Sequence, residues 1–144
     1  CLKDGEYHLT VLGVVARPDK TFLITKRVMT KAWAPGWWEV SGGAAQAGEA
    51  SRDAVLREVK EETGLTLEPL QLENGYERPY FTTVGMTDEC CSTVFGYVSG
   101  ILSSEGEEDT EDIEALLVDR EEADPQRGTG GYHGCLYAHA FCGR

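Results

Sequence analysis

Residues 43–65 read GAAQAGEASRDAVLREVKEETGL, and this stretch decides the fold. No proline interrupts 51–63, Ser51 is placed to cap its start, and Gly64 stands where a left-handed residue ends a helix. The segment 51–63 is therefore expected to be helical. At about 100° per residue, with Glu58 set at zero, Glu62 falls at about +40° and Glu61 at about −60°. Three carboxylates thus share one face. Val55, Leu56 and Val59 lie on an adjoining face that can pack against a sheet. Arg57 precedes Glu61 by four residues, within reach of a charge-assisted hydrogen bond that would orient it.

Like charges this close on one helix repel, and a purely structural face would have dispersed them. A hard divalent cation resolves the conflict, because Mg²⁺ takes oxygen ligands and is typically held by one or two carboxylates plus substrate phosphates. A solvated acidic face is the other reading, and it is common on helices. The helix by itself leaves both open.

The full spacing separates them. Gly43 is followed after five residues by Glu49 and after seven more by Arg57-Glu58; Val59, Glu61-Glu62, Gly64 and Leu65 complete the pattern. This resembles the Nudix signature at every defined position, and Trp38-Glu39-Val40-Ser41-Gly42 looks like the strand leading into that family's glycine loop. Ser41 is a departure, since proline is more common there. The resemblance implies an α/β/α sandwich with a mixed β-sheet, and an Mg²⁺-dependent hydrolase for which Mn²⁺ can substitute. It also implies that Glu58 and Glu62 are metal ligands, that Glu61 adds a ligand or a catalytic carboxylate, and that the Gly42 carbonyl completes the site. Gly43, Glu49 and Arg57 would support the loop and helix.

Outward from this stretch, 7–16 and 21–26 are rich in β-formers, and Pro18-Asp19-Lys20 between them suits a hairpin. Residues 37–40 predict a short third strand. Leu65, Leu67, Leu70 and Leu72 suggest another, which Pro69 would place at a sheet edge. Residues 75–89 read as mixed and partly loop, 93–98 and 113–118 as strands, and 120–124 as the opening of a helix. The tail from Pro125 carries five glycines in twenty residues and receives no assignment. Strands on both sides of a helix indicate one mixed α/β domain over residues 1–144.

Composition sets the outer limits. A net charge of −12 repels a phosphate backbone, so nucleic acid is not an expected partner; a small nucleotide-like substrate remains open through a bound metal. No apolar run approaches a membrane span. The five cysteines are odd in number and form no C-x-x-C pair, which favours reduced thiols and a cytoplasmic setting. The chain opens on Cys1 rather than Met, which leaves a preceding segment open.

A second resemblance concerns the substrate. Thr110-Glu111-Asp112-Ile113-Glu114 and Val118-Asp119-Arg120-Glu121-Glu122-Ala123 are similar to the corresponding part of bacterial ADP-ribose diphosphatases, where an acidic loop supplies a metal ligand or base. By that resemblance Glu111 and then Asp109 are the distal catalytic candidates. A solvated acidic loop is the plain alternative. Thr83-Val84-Gly85-Met86-Thr87-Asp88-Glu89 looks like the substrate loop of the same subfamily, with Glu89 its acidic residue, although Val84 stands where proline is usual. The resemblance also implies a homodimer, which the glycine-rich tail does not favour.

The first half, through Phe22-Leu23-Ile24-Thr25-Lys26-Arg27 and residues 33–38, resembles nucleotide-sanitising and isopentenyl-diphosphate-isomerase-like branches equally well. A nucleoside triphosphate pyrophosphohydrolase is therefore the alternative, followed by an isomerase using Cys90 or Cys91 and by a non-catalytic ligand sensor. Trp33, Trp37, Trp38 and Tyr80 could stack a base or anchor the core. Arg27 and Lys31 could meet phosphate or water. His8, His133 and His139 show no ligand spacing.

Overall fold

The computed structural model describes residues 9–30, 32, 34–72, 78–82, 84–86, 89–103 and 113–123. In chain order the elements are β1 (Leu9–Ala16), β2 (Phe22–Arg27), β3 (Trp38–Glu39), β4 (Ser41–Ala44), α1 (Ser51–Thr63), β5 (Thr66–Pro69), β6 (Tyr80–Phe81), β7 (Cys90–Ser99), β8 (Ile113–Val118) and α2 (Arg120–Ala123).

β1 organises the sheet. Along one edge it runs parallel to β7 over its whole length, from Leu9↔Cys90 to Ala16↔Tyr97. Its other edge is shared by β4, antiparallel from Thr10↔Ala44 to Gly13↔Ser41, and by β2, which joins at Ala16↔Phe22. β2 carries β3 on one side and β8 on the other, while β5 and β6 line the far edge of β7. Among the described residues, eight strands of both orientations make a mixed sheet. A parallel β1–β7 pair requires a long crossover, and that crossover contains α1.

The β1–β2 turn follows from its residues. Lys20 N–H donates to Arg17 O at 2.9 Å, and Lys20 takes φ 70°, the left-handed position that closes a three-residue hairpin loop. Asp19 Oδ1 accepts from Thr21 N–H at 3.0 Å and Thr21 Oγ1 at 2.7 Å, and these bonds hold its carboxyl below the usual range.

Both sheet faces are apolar. Val11, Val15, Leu23, Val94 and Val98 pack with Ala54, Val55 and Val59 of α1 in one buried cluster. Alternate residues on the same strands, Val14, Ile24 and Val118, form a second cluster joined by Phe22, Trp38, Phe95 and Leu116. The helix therefore covers one face. β8 leads into α2, whose start is a capping box. Asp119 Oδ1 accepts from Glu121 and Glu122 N–H, and Glu122 Oε2 accepts from Asp119 N–H at 3.0 Å.

Three local expectations are corrected. The cap position of α1 is Ala50 rather than Ser51, because Ala54 N–H already bonds to Ala50 O at 3.0 Å. The glycine loop begins as a strand, β4, since Gly42 lets two backbones meet where a Cβ would lie 2.1 Å from Val11 O. The strand after α1 covers Thr66–Pro69 rather than running to Leu72; Leu70 N–H still bonds to Phe95 O at 2.8 Å, and the strand lies at the edge as expected.

The end of α1 is set by Gly64 at φ 70°, with its N–H on Lys60 O at 2.9 Å and Lys60 Nζ on its carbonyl at 2.7 Å. A Cβ there would stand 2.9 Å from Ser103 Cβ. Gly64→Ala is expected to lower stability by about 1–3 kcal/mol in a urea melt, the usual range for a left-handed non-glycine residue. An unchanged midpoint would show that this end of α1 relaxes freely.

Candidate functional site

α1 brings Glu58 and Glu62 together, one turn apart, at its junction with β4. Both are buried, 5% and 7% exposed. Glu62 Oε2 accepts from Ser41 Oγ and from Gly42 N–H, the latter at 3.2 Å. Glu58 lies against Gly43 so closely that a Cβ there would stand 2.6 Å from the carboxylate carbon. The glycine pair is thus explained twice over: Gly42 admits the backbone of β1, and Gly43 admits the Glu58 carboxylate.

Arg57 ties the cluster together. Its Nε and Nη2 grip both oxygens of Glu49 at 3.0 Å each. Nη1 donates to Glu58 Oε1 and Glu61 Oε2, each at 2.9 Å, and Nη2 also reaches Ala44 O at 3.2 Å. Arg57 and Glu61 are the i,i+4 pair expected from the sequence. Glu49 sits at the end of a tight turn, where its N–H bonds to Gln46 O at 3.0 Å and Gly48 supplies φ 83°. Its carboxylate accepts Gln46 N–H in return at 2.9 Å. The Arg57 guanidinium, then the Gln46 amide, holds the Glu49 carboxyl below its ordinary range. Arg57 is pushed further up in turn, chiefly by Glu49.

The remaining sequence candidates lie elsewhere on the sheet. Arg27 Nη1 pairs with Glu39 Oε1 at 3.3 Å, so its charge is engaged between β2 and β3. Trp38 packs with the second apolar cluster, on the face away from α1, and Lys26 Nζ lies 5.1 Å from its ring centroid. Glu89 accepts from Thr82 Oγ1 at 3.0 Å and Thr10 Oγ1 at 3.5 Å, and Tyr80 Oη lies 3.0 Å from Thr93 Oγ1 nearby on β7. Cys91 is buried, and burial followed by the Glu89 charge raises its thiol pKa. Glu111, Asp109, Trp33, Lys31 and the three histidines lie outside the described residues. Sequence reading missed the Ser41–Glu62 bond and the Thr10–Glu89–Thr82 set. Ser41 had signalled itself only as a departure from the resemblance.

Among the described residues no group of three or more His, Cys, Asp or Glu side chains converges as a metal site. Glu58 and Glu61 turn to Arg57, and Glu62 turns to β4. The donor set still suits Mg²⁺, which needs only one or two protein carboxylates beside water and phosphate. Two buried acids one turn apart are also the arrangement that a divalent cation relieves. No described helix is long and apolar enough to cross a membrane.

Comparison with known proteins agrees with this geometry. A family model described as the NUDIX domain matches residues 6–138. An uncharacterised Nudix hydrolase of Listeria innocua is 43% identical over 68 residues, covering 46% of this chain and 40% of the relative. A nucleoside triphosphatase of Enterobacter is 32% identical over 59 residues, 41% of this chain and 42% of the relative. The matches thus span about half or less of these relatives' lengths. A solved Nudix hydrolase from Nitrosomonas europaea superposes with TM-score 0.61 at 24% identity, covering 81% of this chain and 75% of that one. The MutT protein of Methanosarcina mazei gives 0.57 at 24% identity, over 82% and 80%. The mixed sheet, the helix laid on it and the glutamate-bearing junction of α1 with β4 are thus found in a chain that belongs to the Nudix family.

Proposed function

We propose that this domain hydrolyses a diphosphate linkage in a small nucleoside-containing substrate, with Mg²⁺, or Mn²⁺ in its place, held by Glu58 and Glu62. The observation that carries this reading is the burial of those two carboxylates side by side against Gly42-Gly43. Glu61, with its side chain 43% exposed, and the Gly42 carbonyl are the further donors. When bound, the metal would neutralise non-bridging phosphate oxygens and lower the pKa of the attacking water.

The chain's own residues do the rest. Arg57 donates to Glu58 and Glu61 and so fixes their position beside β4, while Glu49 anchors the guanidinium from the loop. Water attacks one phosphorus, the bridging P–O bond breaks, and the water's proton passes to a carboxylate. Of Glu58, Glu61 and Glu62, Glu61 is the one open to water and the first candidate to receive it; Glu111 and Asp109 are the distal candidates.

For the substrate, resemblance at Thr83-Val84-Gly85-Met86-Thr87-Asp88-Glu89 favours an ADP-ribose-like nucleoside diphosphate derivative, with Glu89 as a contact; Arg27 and Trp38, the other sequence candidates for substrate, are engaged with Glu39 and the second apolar cluster. The similarity to a nucleoside triphosphatase favours a triphosphate instead. A second subunit belongs to the first of these readings, and a cytoplasmic setting rests on the odd cysteine count without a C-x-x-C pair.

Glu58→Gln and Glu62→Gln are each expected to lower kcat on the order of 100-fold or more while the protein stays folded by circular dichroism, since charge stabilisation dominates phosphoryl chemistry. Turnover at the wild-type rate in either variant would sink the assignment. Gly43→Ala should cut activity by displacing the Glu58 carboxylate, and a variant as active as the parent would show the cradle to be dispensable. A substrate panel with Mg²⁺, resolved by product, separates the two classes. ADP-ribose should yield AMP and ribose 5-phosphate, and a triphosphate should yield monophosphate and pyrophosphate.

A further inference from the structure

Ser41 is wholly buried at the start of β4, and its hydroxyl donates to Glu62 Oε2. The N–H of Gly42 reaches the same oxygen at 3.2 Å. Both donors stand on a strand locked to β1 at Gly13↔Ser41 and Leu12↔Gly42, so neither can follow Glu62 if the helix side chain swings. We propose that Ser41 is a positioning residue for the metal centre: it fixes the Glu62 carboxylate in the orientation that takes a divalent cation. The proposal rests on the reading of Glu58 and Glu62 as the metal-holding pair.

The two carboxylates are held by different means, and the difference supports this role. Glu58 is held by Arg57, a cation that also serves Glu49 and Glu61. Ser41 and Gly42 are neutral donors. A hydrogen bond from a neutral group fixes a carboxylate without cancelling its charge, so Glu62 keeps its attraction for a metal. A buried serine beside a buried acid also satisfies part of that acid's hydrogen-bonding need, which an apolar side chain could not.

The test reads Mn²⁺ affinity by electron paramagnetic resonance, without substrate, in the whole chain. Wild type, Ser41→Ala, Ser41→Cys, Glu62→Gln and the Ser41→Ala/Glu62→Gln double variant are compared. Ser41→Ala should weaken Mn²⁺ binding about 10- to 100-fold, the usual effect of removing a partner of a metal ligand. Ser41→Cys keeps the volume with a poorer donor and should weaken it less; it carries the comparison if the alanine variant loses its native circular dichroism. The double variant should bind no more weakly than Glu62→Gln alone, because Ser41 acts through Glu62. Wild-type affinity in Ser41→Ala, or a further loss in the double variant equal to that in the single, would overturn the proposal. Failure of the wild type to bind Mn²⁺ at all would overturn the metal reading itself, and this inference with it.

Discussion

The candidate site depends on one guanidinium. Arg57 has five N–H donors, and the structure gives acceptors to all of them: two oxygens of Glu49, one each of Glu58 and Glu61, and the carbonyl of Ala44. Those acceptors belong to three separate pieces of chain, namely the end of β4, the turn at 46–49 and α1. One side chain therefore sets the distance between the glycine strand and the acidic face of the helix. Lysine could not replace it, having three donors on a point charge in place of a planar fork.

That junction carries a deliberate excess of negative charge. Arg57 is a single cation facing Glu49, Glu58 and Glu61, and Glu62 lies one turn beyond, in a chain whose net charge is −12. Burying two of these carboxylates to 5% and 7% exposure works against folding unless hydrogen bonds and a counter-charge offset the loss of water. The offset is partial by design of the geometry: strand amide and hydroxyl on Glu62, guanidinium on Glu58. On the reading proposed above, a bound cation would offset the remainder. This is the usual sense in which a functional site departs from the arrangement that packing alone would select.

Much of this was legible in the sequence, for identifiable reasons. The helix came from an uninterrupted run ended by Gly64, and its bounds agree with α1 because a left-handed residue is a sharp stop. Strand 113–118 agrees residue for residue with β8, whose apolar run is bounded by acidic residues. Pro69 announced an edge strand through its missing donor. The spacing of Glu58, Glu61 and Glu62 announced a shared face, but it could not reveal that Glu58 and Glu62 are buried while Glu61 stays open. That split depends on where β4 lies. β4 itself was hidden because Gly42 and Gly43 have poor strand propensity, and only the close approach of Val11 makes them a strand. Ala50 at the cap was equally hidden, since a helix packed through Val55 and Val59 forms without a side-chain cap. Ser41 read as an oddity; its use appears only once Glu62 is seen against it.

The partnership of β1 with β7 bears on how the molecule comes to exist. Leu9 pairs with Cys90, and the register holds to Ala16 and Tyr97, so the central strand finds its full-length partner some eighty residues downstream. Local hairpins such as β1–β2 can close within microseconds, but this pairing must first close a long loop. Until β7 is made, the edge of β1 that β7 occupies has no strand to pair with. Such a topology belongs to the slower range of folding rates for mixed domains. The glutamate-bearing junction of β4 and α1 is made of local sequence, yet the sheet on which it rests is completed only by the second half of the chain.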